Sequence, residues 1–480
     1  MAALNALDRH LALAGFMGAG KTTLGEQVAE RLGRPFVDLD AEIERRAGRS
    51  VEELFAGAGE AAFRALEEEA ACEALAHREP AVLALGGGAV LSAATRDELA
   101  RSAFTVLVEV DPALAWERAR EAGRPLARDE ASFLALYEQR REVYAAVADG
   151  RARDADGVVL AAAGVHVETG ALALLGHLVP GEAPCELVAD THVAGIHGVA
   201  AQLALGARDT RTHEVPAGEA AKSVTTLERL WRALRLGRDG TLVALGGGCT
   251  TDLTGFAAAT YMRGIAWVAV PTTLVGQVDA AIGGKTAIDL PGGKNLVGAF
   301  HWPARVVADP ALLETLPEPE RRNGLAEVVK TGLLAGAPLW ELPQPAQVRA
   351  CAAFKAAVCL RDPRERDARA QLNLGHTFAH ALEAAAGFDL PHGRAVALGL
   401  LAALRLSGQR EAEATVREVL RPEPVRVDRD AAWAALRRDK KAAGGAPRLV
   451  LLDAPGRPRW GVEAPEVDVR AALDGLIAGS

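Results

Sequence analysis

The sequence has few cysteines and no long apolar run, and both absences limit what the protein can be. Its 480 residues include five cysteines, with no Cys-x-x-Cys pair and no spacing typical of a disulfide framework. This usage favours a reducing compartment, so we expect a cytoplasmic protein. The apolar run at residues 11–16 is too short to cross a bilayer and leads into a glycine-rich loop. We therefore predict no signal peptide and no membrane helix.

Concentrated positive charge is also missing. The formal net charge is −9, and no Lys/Arg-dense tail is present. These features argue against nucleic acid as a partner, and a small anionic substrate would need a local basic pocket. A chain of 480 residues, 50% of them hydrophobic, is long enough for about two to four domains with sizeable cores.

A phosphate-binding motif lies near the N-terminus. Residues 15–22, GFMGAGKT, match G-x-x-x-x-G-K-[ST] between a predicted strand at 10–16 and a predicted helix at 21–32. In that context glycines let backbone N–H groups surround phosphates, the lysine reaches the outer phosphates and the threonine meets magnesium. The pattern predicts a site for ATP with Mg²⁺ formed by Gly15, Gly18, Gly20, Lys21, Thr22 and Thr23.

Polar residues after the next predicted strands indicate where the phosphoryl acceptor binds. Asp38 and Asp40 follow a predicted strand at 35–37. Asp38 could help hold magnesium, and Asp40 could accept a hydrogen bond from a substrate hydroxyl. The alternative is a helix N-cap before residues 41–47. A triple glycine at 86–88 permits close approach of the backbone to a ligand, or forms only a flexible turn.

In order along the chain, these motifs resemble shikimate kinase. The matching stretches cover this whole half and are residues 15–22, Asp38-x-Asp40, Phe63-Arg64, Gly86-Gly87-Gly88 and the GRPL of residues 123–126. The resemblance implies that Arg64 and Arg140 pair with the carboxylate of shikimate. It also implies that Arg124 lies on a mobile lid over the phosphates. The implied acceptor site is Asp40, Arg64, Gly86, Gly87, Gly88 and Arg140, with Lys21 and Asp40 closest to the chemistry.

Two assignments in this half stay open. Arg141 is adjacent to Arg140, so the carboxylate partner could shift by one residue, and Arg140 could belong instead to a solvated helix face. The end of the half is marked by the Pro/Gly-rich stretch at 176–184, and we place the boundary after residue 177. A new α/β pattern then begins at Cys185.

Glycine loops in the second half indicate further anionic ligands. A predicted strand at 241–245 ends in Gly246-Gly247-Gly248 before a helix, a turn suited to a pyrophosphate although it is not G-x-G-x-x-G. The loops at 217–223 and 271–273 could hold adenosine, ribose or phosphate. Lys285 and Lys294 lie in glycine loops, which favours recognition of an anion over simple solvation.

Three histidines and a carboxylate follow. His376 and His380 are four residues apart on a helix predicted at 371–386, and His392 follows a turn. Two imidazoles and the carboxylate of Glu327, with a fourth position open, are typical of a catalytic zinc site, and the spare imidazole would serve as an acid or base. The alternatives are polar surface histidines and a surface ion pair between Glu327 and Lys330, which are three apart.

In order, the motifs of this half resemble 3-dehydroquinate synthase. They are residues 246–256, 279–286, 294–295, 323–330, 373–380 and 391–393. The resemblance implies Zn²⁺, or Co²⁺, on Glu327, His376 and His392, with His380 near the reacting centre. It implies NAD bound by Asp190, Gly218, Glu219, Lys222, Gly247, Gly248, Asp252, Thr272, Thr273, Lys285 and Lys294. The implied substrate and catalytic residues are Asp279, Lys285, Asn295, Lys330, Lys355, Arg369 and Asn373, with Lys440 or Lys441.

The resemblance further implies that Arg263 reaches a neighbouring subunit's site in a homodimer. The sequence departs from the family pattern at Arg394, where an acid is common, and at Thr251, where glycine is common. It also departs at an opening hairpin that is abbreviated before Cys185. The change at Arg394 could alter the properties of the nearby His392, the change at Thr251 the fit of the cofactor, and the shorter hairpin the local stability.

The predicted fold class is α/β. A P-loop kinase with a parallel sheet (1–177) precedes an NAD-binding α/β part (178–310) and a mainly α-helical metal- and substrate-binding part (311–480). We interpret the chain as a bifunctional enzyme acting on ATP, shikimate and a heptulosonate phosphate. The alternatives are a related sugar-phosphate cyclase or polyol dehydrogenase in the second half, or a silent nucleotide-binding module in the first. Lys285, Lys294 and Asn295 favour a phosphorylated substrate.

Overall fold

The computed structural model describes residues 5–121, 126–127, 129–206, 208, 210–438 and 447–478. The chain divides into two compact units, Met1–Gly164 with Ala356–Arg361, and Val165–Lys355 with Asp362–Ser480. This division lies earlier in the chain than the boundary that the sequence predicts after residue 177.

The first unit contains a five-stranded sheet in the order β2-β3-β1-β4-β5, with every pairing parallel. Short apolar strands such as HLALA and AFTVLV suit a sheet that helices cover on both faces. The strands are β1 His10–Ala14, β2 Phe36–Asp38, β3 Val82–Ala84, β4 Ala103–Val108 and β5 Gly150–Ala152. The helices are α1 Lys21–Leu32, α2 Leu39–Ala47, α3 Val51–Leu75, α4 Ala93–Ser102, α5 Pro112–Glu121, α6 Glu130–Val147 and α7 Ala155–Ala162.

Three neighbouring strands of this sheet place the predicted kinase residues at one edge. The glycine loop follows β1, Asp38 ends β2, and the glycine triplet follows β3. Because the carboxyl ends of parallel strands meet at one edge, the three loops surround a common crevice.

The second unit is built on a six-stranded sheet in the order β6-β13-β10-β9-β7-β8, again with parallel pairings. The chain runs outward from β7 to β8 and then continues on the other side of β7 with β9. The crevice between β7 and β9 is therefore the topological switch point, where open α/β sheets bind ligands. The sheet strands are β6 Val165–Val167, β7 Cys185–Asp190, β8 Thr210–Val215, β9 Thr241–Gly246, β10 Ala266–Pro271 and β13 Arg305–Ala308; two antiparallel hairpins join β11 Lys285–Leu290 to β12 Gly293–Phe300, and β14 Leu449–Ala454 to β15 Arg457–Val462.

The segment before Cys185 belongs to this second sheet. Strand β6 pairs with β13, and Ala171, Leu172, Leu175 and Val179 are buried in the same hydrophobic cluster as the strands β7, β9 and β10. Residues 165–179 thus supply packing to the second unit, which is why the compact units separate at Gly164 rather than near the Pro/Gly-rich stretch.

Helices dominate the remainder of the second unit, as the predicted fold class requires. A large cluster centred on α15 and α16 forms their core. No helix among the described residues is long and apolar enough to cross a membrane. The remaining helices of the chain are α8 Leu175–Leu178, α9 Thr191–Val193, α10 Val199–Leu205, α11 Val224–Ala233, α12 Gly248–Thr260, α13 Glu318–Ala335, α14 Gln344–Arg361, α15 His376–Ala385, α16 His392–Leu406, α17 Arg410–Leu420, α18 Arg429–Arg437 and α19 Glu466–Asp474.

The prediction of one helix over 371–386 was wrong at its start. Residues Ala368–Asn373 form a 3₁₀ turn, and α15 begins only at His376. Gly375 separates them with a φ of +78°. A Cβ at Gly375 would lie 2.8 Å from the Leu400 nitrogen, so glycine permits the close crossing of α15 and α16.

Candidate functional sites

The glycine loop of the first unit has the shape that phosphate binding requires. Gly15 and Gly18 have positive φ, and a Cβ on Gly18 would clash with the carbonyl oxygen of Ala115. Nζ of Lys21 donates to the carbonyl oxygens of Gly15, at 2.8 Å, and Phe16, at 3.1 Å, so the lysine side chain folds over the loop. The ammonium is thereby held where phosphates would replace these carbonyls as acceptors.

Asp38 is the helix N-cap that the sequence offered as one alternative, and its geometry also leaves room for the proposed magnesium role. Its Oδ1 accepts a hydrogen bond from the Ala41 nitrogen and caps α2. Its Oδ2 accepts a 2.6 Å hydrogen bond from the Thr22 hydroxyl. The cap fixes the carboxylate beside the threonine, at the position where magnesium would join the two. Thr23 is exposed one residue later.

A cavity beside the glycine loop collects the predicted acceptor residues. Its walls include Asp40, Arg64, Gly87, Gly88 and Arg140, together with Met17, Val51, Phe55, Phe63, Glu67 and Leu126. Gly86 adjoins it, since a Cβ there would lie 2.9 Å from Oδ1 of Asp40. Two cations and two carboxylates in an otherwise apolar pocket can orient a small hydroxylated acid.

Arg140, and not Arg141, faces this cavity. Arg140 is 6% exposed and donates to the Gly87 carbonyl oxygen at 3.2 Å. Arg141 is exposed and pairs with Glu138 at 3.3 Å. The alternative that Arg140 belongs to a solvated helix face is wrong, because its side of α6 packs on the glycine triplet. Arg124 lies outside the described residues.

Sequence reasoning missed Glu67. Its carboxylate is 2% exposed, and Oε2 accepts a 2.6 Å hydrogen bond from Arg64. Oε1 has no hydrogen-bond partner among the described residues. Burial raises the pKa of Glu67, although the Arg64 guanidinium opposes the shift. Its spacing of three residues from Arg64 on α3 was the available signal.

In the second unit, three side chains converge on one point. Oε1 of Glu327 lies 3.5 Å from Nε2 of His376 and 3.3 Å from Nε2 of His392, and the three ligand atoms all lie within 4.8 Å of one another. Tetrahedral zinc bonds of about 2.0–2.1 Å separate ligand atoms by roughly 3.3–3.4 Å. The donor set therefore fits such an ion. His380 is exposed one turn along α15, its ring centroid 5.5 Å from that of His376.

Hydrogen bonds at the other ring nitrogens direct both Nε2 atoms toward Glu327. Nδ1 of His376 lies 3.2 Å from the Leu374 carbonyl oxygen, and Nδ1 of His392 lies 3.1 Å from Oε1 of Glu383. Donation of Nδ1–H to these acceptors leaves each Nε2 lone pair for a metal. Sequence reasoning missed Glu383, which lies seven residues after His376 on the same helical face.

Charges around this cluster are strongly coupled. Burial disfavours the charged form of Glu327, but Lys330 and the two imidazoles hold its pKa well below the usual value. Burial and the Lys330 ammonium hold the pKa of His376 well below its usual value. Burial also disfavours protonated His392, yet hydrogen bonds with Glu327 and Glu383 raise its pKa to about 9. The cluster thus keeps an anionic carboxylate in a buried position, as a cation site requires.

The predicted NAD residues border the switch-point crevice. Asp190 ends β7, and Gly247 and Gly248 open α12 after β9. A Cβ on Gly247 would lie 3.0 Å from Cγ2 of Thr273, and the buried Thr272 donates its N–H to the Gly246 carbonyl oxygen at 2.9 Å. The α12 N-terminus therefore faces a tight, glycine-lined space suited to a pyrophosphate.

Lys222 connects this crevice to the β11–β12 hairpin. Its side chain is 3% exposed, and Nζ lies 2.8 Å from Oδ2 of Asp252 and bonds to Oδ1 of Asn295. Glu219 lies 3.6 Å from the same ammonium and 2.9 Å from that of Lys294. Gly218 precedes this group with a φ of +67°. Predicted cofactor residues and a predicted substrate residue thus share one charged network.

Predicted substrate residues form two groups, the first of which includes a metal ligand. Lys330 pairs with Glu327 and with Asp279, at 3.4 Å from the latter, and Lys355 also bonds to Asp279. In the second group, Glu365 accepts from Lys285 at 2.5 Å and from Asn373 at 3.2 Å.

Arg369 lies near the second group. It is 1% exposed with its guanidinium 5.8 Å from the ring centre of Phe300, the cross-strand partner of Lys285. Sequence reasoning missed Glu365, which lies in a turn with a φ of +53° and no motif signal.

The remaining predicted positions have no contact with the metal ligands among the described residues. Arg263 is exposed on a 3₁₀ turn with a φ of +68°. Arg394 is exposed and donates to the Glu423 carbonyl oxygen at 3.2 Å. The buried Thr251 bonds through its hydroxyl to the Gly248 carbonyl oxygen at 2.9 Å, so α12 accommodates it. Lys440 and Lys441 lie outside the described residues.

Comparison with sequence families agrees with this division of sites. The shikimate kinase family model matches residues 17–163. The 3-dehydroquinate synthase N-terminal model matches residues 212–323, and the C-terminal model of the same enzyme matches residues 324–442.

Curated relatives and solved structures cover the second part of the chain. The chain is 41% identical over 346 residues to 3-dehydroquinate synthase from Bordetella pertussis, and this match covers 65% of the chain and 95% of the relative. The enzyme of the same name from Symbiobacterium thermophilum is 42% identical, with 65% and 97% covered. A 2-epi-5-epi-valiolone synthase from Streptomyces hygroscopicus, solved with NAD⁺ and Zn²⁺ bound, has a TM-score of 0.59 at 27% identity, with 65% and 96% covered. The chain therefore belongs to the 3-dehydroquinate synthase family and carries a shikimate kinase domain ahead of its synthase part.

Proposed function

We propose that the first unit transfers the γ-phosphoryl group of ATP to shikimate. Lys21 would hold the transferring phosphate, and Thr22 with Asp38 would hold Mg²⁺. Arg64 and Arg140 would bind the acceptor carboxylate, while Asp40 would accept a hydrogen bond from the attacking hydroxyl. The convergence of Asp40, Arg64 and Arg140 on a cavity beside the glycine loop supports this reaction.

The second unit, in our proposal, converts 3-deoxy-D-arabino-heptulosonate 7-phosphate to 3-dehydroquinate with release of phosphate. Glu327, His376 and His392 would hold Zn²⁺ or Co²⁺, and the β7–β9 crevice would hold NAD. When bound, the metal supplies a Lewis acid and NAD a reversible hydride acceptor. The Glu327–His376–His392 geometry is the observation that carries this proposal.

The chain's own side chains would then position the sugar phosphate. Lys285, Lys330 and Arg369 bring positive charge for its phosphate and carboxylate. Asn295 and Asn373 would orient hydroxyl groups, and the ion pairs from Asp279 and Glu365 fix the lysines before substrate arrives. His380, exposed beside His376, would relay a hydroxyl proton.

The ligands of both units are small molecules. We propose a cytoplasmic homodimer assembled through the synthase part, with no nucleic-acid or membrane partner. The exposed Arg263, held at positive φ, supports a contact beyond its own subunit. We further propose a kinase region that ends at Gly164, where the compact units separate, rather than at residue 177 as the sequence predicts. An NAD-binding region to residue 310 and a metal- and substrate-binding region 311–480 follow it.

One experiment with two variants tests the function. Purified full-length protein is assayed for ATP-dependent phosphorylation of shikimate and for phosphate release from the heptulosonate phosphate with NAD. We expect Lys21→Ala to lose the first reaction alone and His376→Ala to lose the second alone. Absence of either reaction in the parent would refute the corresponding proposal.

A further inference from the structure

Two side chains of α6 donate hydrogen bonds to one carbonyl oxygen. Arg140 approaches the Gly87 oxygen through a guanidinium nitrogen at 3.2 Å, and the Tyr144 hydroxyl bonds to the same oxygen. The two residues are four apart, so they share one helical face. Both are buried, with exposures of 6% and 4%. Two buried donors therefore hold this partly buried carbonyl in one orientation.

The carbonyl belongs to the part of the backbone that shapes the acceptor cavity. Gly87 and Gly88 line the cavity, and a Cβ on Gly88 would clash with the Arg64 guanidinium. Rotation of the Gly87–Gly88 peptide would therefore push its backbone toward Arg64, one of the two cations that we expect to bind the acceptor. The orientation of this peptide therefore affects the space beside Arg64 in the cavity.

Arg140 has two competing acceptors once a carboxylate enters. A charge-assisted pair with the carboxylate is stronger than its hydrogen bond to a neutral carbonyl. If Arg140 turned to the carboxylate, the partly buried Gly87 oxygen would lose one of its two donors inside the protein, and an acceptor that loses its last protein donor loses a stabilising hydrogen bond. Tyr144 supplies the donor that remains.

We propose that Tyr144 is a positioning residue for the acceptor site, which keeps the Gly87 carbonyl satisfied while Arg140 turns to the substrate carboxylate. This inference rests on the proposed phosphorylation of shikimate. Burial raises the pKa of Tyr144 to about 12, so its hydroxyl keeps the proton that it donates. Its ring packs edge-on against Phe16 with centroids 6.4 Å apart, so a phenylalanine would keep the packing and lose only the hydroxyl.

The chain offers a matched control on the same helix. Tyr137 also packs edge-on against Phe16, at 5.3 Å, whereas the hydroxyl that bonds to the Gly87 oxygen is that of Tyr144. In full-length protein we expect Tyr144→Phe to raise the KM for shikimate about tenfold, with kcat and the KM for ATP within about twofold of the parent. Tyr137→Phe should leave all three parameters at parental values. Equal KM changes in both variants, or an unchanged KM for shikimate in Tyr144→Phe, would overturn the inference.

A double-variant cycle separates positioning from general support of the fold. Without the Arg140 side chain no donor has to leave Gly87, so Tyr144→Phe should raise the shikimate KM less in an Arg140→Ala background than alone. Fully additive effects, or parallel losses for shikimate and ATP, would indicate a structural role and refute the proposal. A parent inactive on shikimate would overturn the proposed function itself, whereas an active parent with an unaffected Tyr144→Phe would overturn only this step.

Discussion

Replacement of Glu383 by glutamine tests how the metal ligands are oriented. Oε1 of Glu383 lies 3.1 Å from Nδ1 of His392, and the glutamate is 5% exposed. Glutamine keeps the shape of the side chain but removes the charge that makes the imidazole a stronger ligand. Loss of such an outer carboxylate typically weakens metal binding about 10- to 100-fold, and we expect about tenfold because glutamine can still accept the hydrogen bond.

The same carboxylate also stabilises the proton that a metal must displace. The pKa of His392 is raised to about 9 without metal, so at pH 7 the parent binds metal only by releasing this proton. Glu383→Gln lowers that pKa and reduces the competition. The affinity deficit of the variant should therefore be small at neutral pH and reach its full size above the parent's pKa of about 9.

Competition with a chromogenic chelator for Zn²⁺, at pH values on both sides of this pKa, measures the deficit. Glu411→Gln is the matched control, because Glu411 is exposed on α17. Parental affinity of Glu383→Gln above the pKa, or an equal loss in the control, would refute the orienting role.

Three further predictions concern the separate sites. His376→Ala and His392→Ala should lower metal content while His380→Ala keeps metal and slows cyclisation; equal metal loss in all three would show the ligand assignment to be wrong. Arg64→Ala should weaken the binding of shikimate much more than that of ATP, and steady-state kinetics should show a loss of about 2–3 kcal/mol of transition-state stabilisation. A loss mainly in ATP binding would contradict the acceptor-site assignment. A fragment of residues 165–480 should melt at a higher temperature than one of residues 178–480, because the shorter fragment loses β6 and the buried Leu172 and Leu175; identical melting curves would argue against this packing role.

Much of the architecture follows from local sequence signals, but several site residues do not. The motif GFMGAGKT and the helical pattern after it predicted α1 at its observed bounds, Lys21–Leu32. This prediction succeeded because neighbouring residues in the sequence determine both the glycine loop and the start of the helix. The start of α15 was missed because the break at Gly375 depends on contact with Gly399 and Leu400 of α16, more than twenty residues away in sequence. Glu365 and Tyr144 likewise gain their partners only through tertiary packing.

We propose that this one chain contains two chemically independent active sites. Exhaustive removal of bound metal from the full-length protein, followed by restoration of Mg²⁺ alone, separates them because the Glu327–His376–His392 donors suit zinc-type ions and the Thr22–Asp38 site suits magnesium. Both reactions are then assayed on the same sample, and Zn²⁺ is added back. We expect full shikimate phosphorylation, no cyclisation, and recovery of cyclisation with Zn²⁺. Loss of both activities, or retention of both, would contradict it.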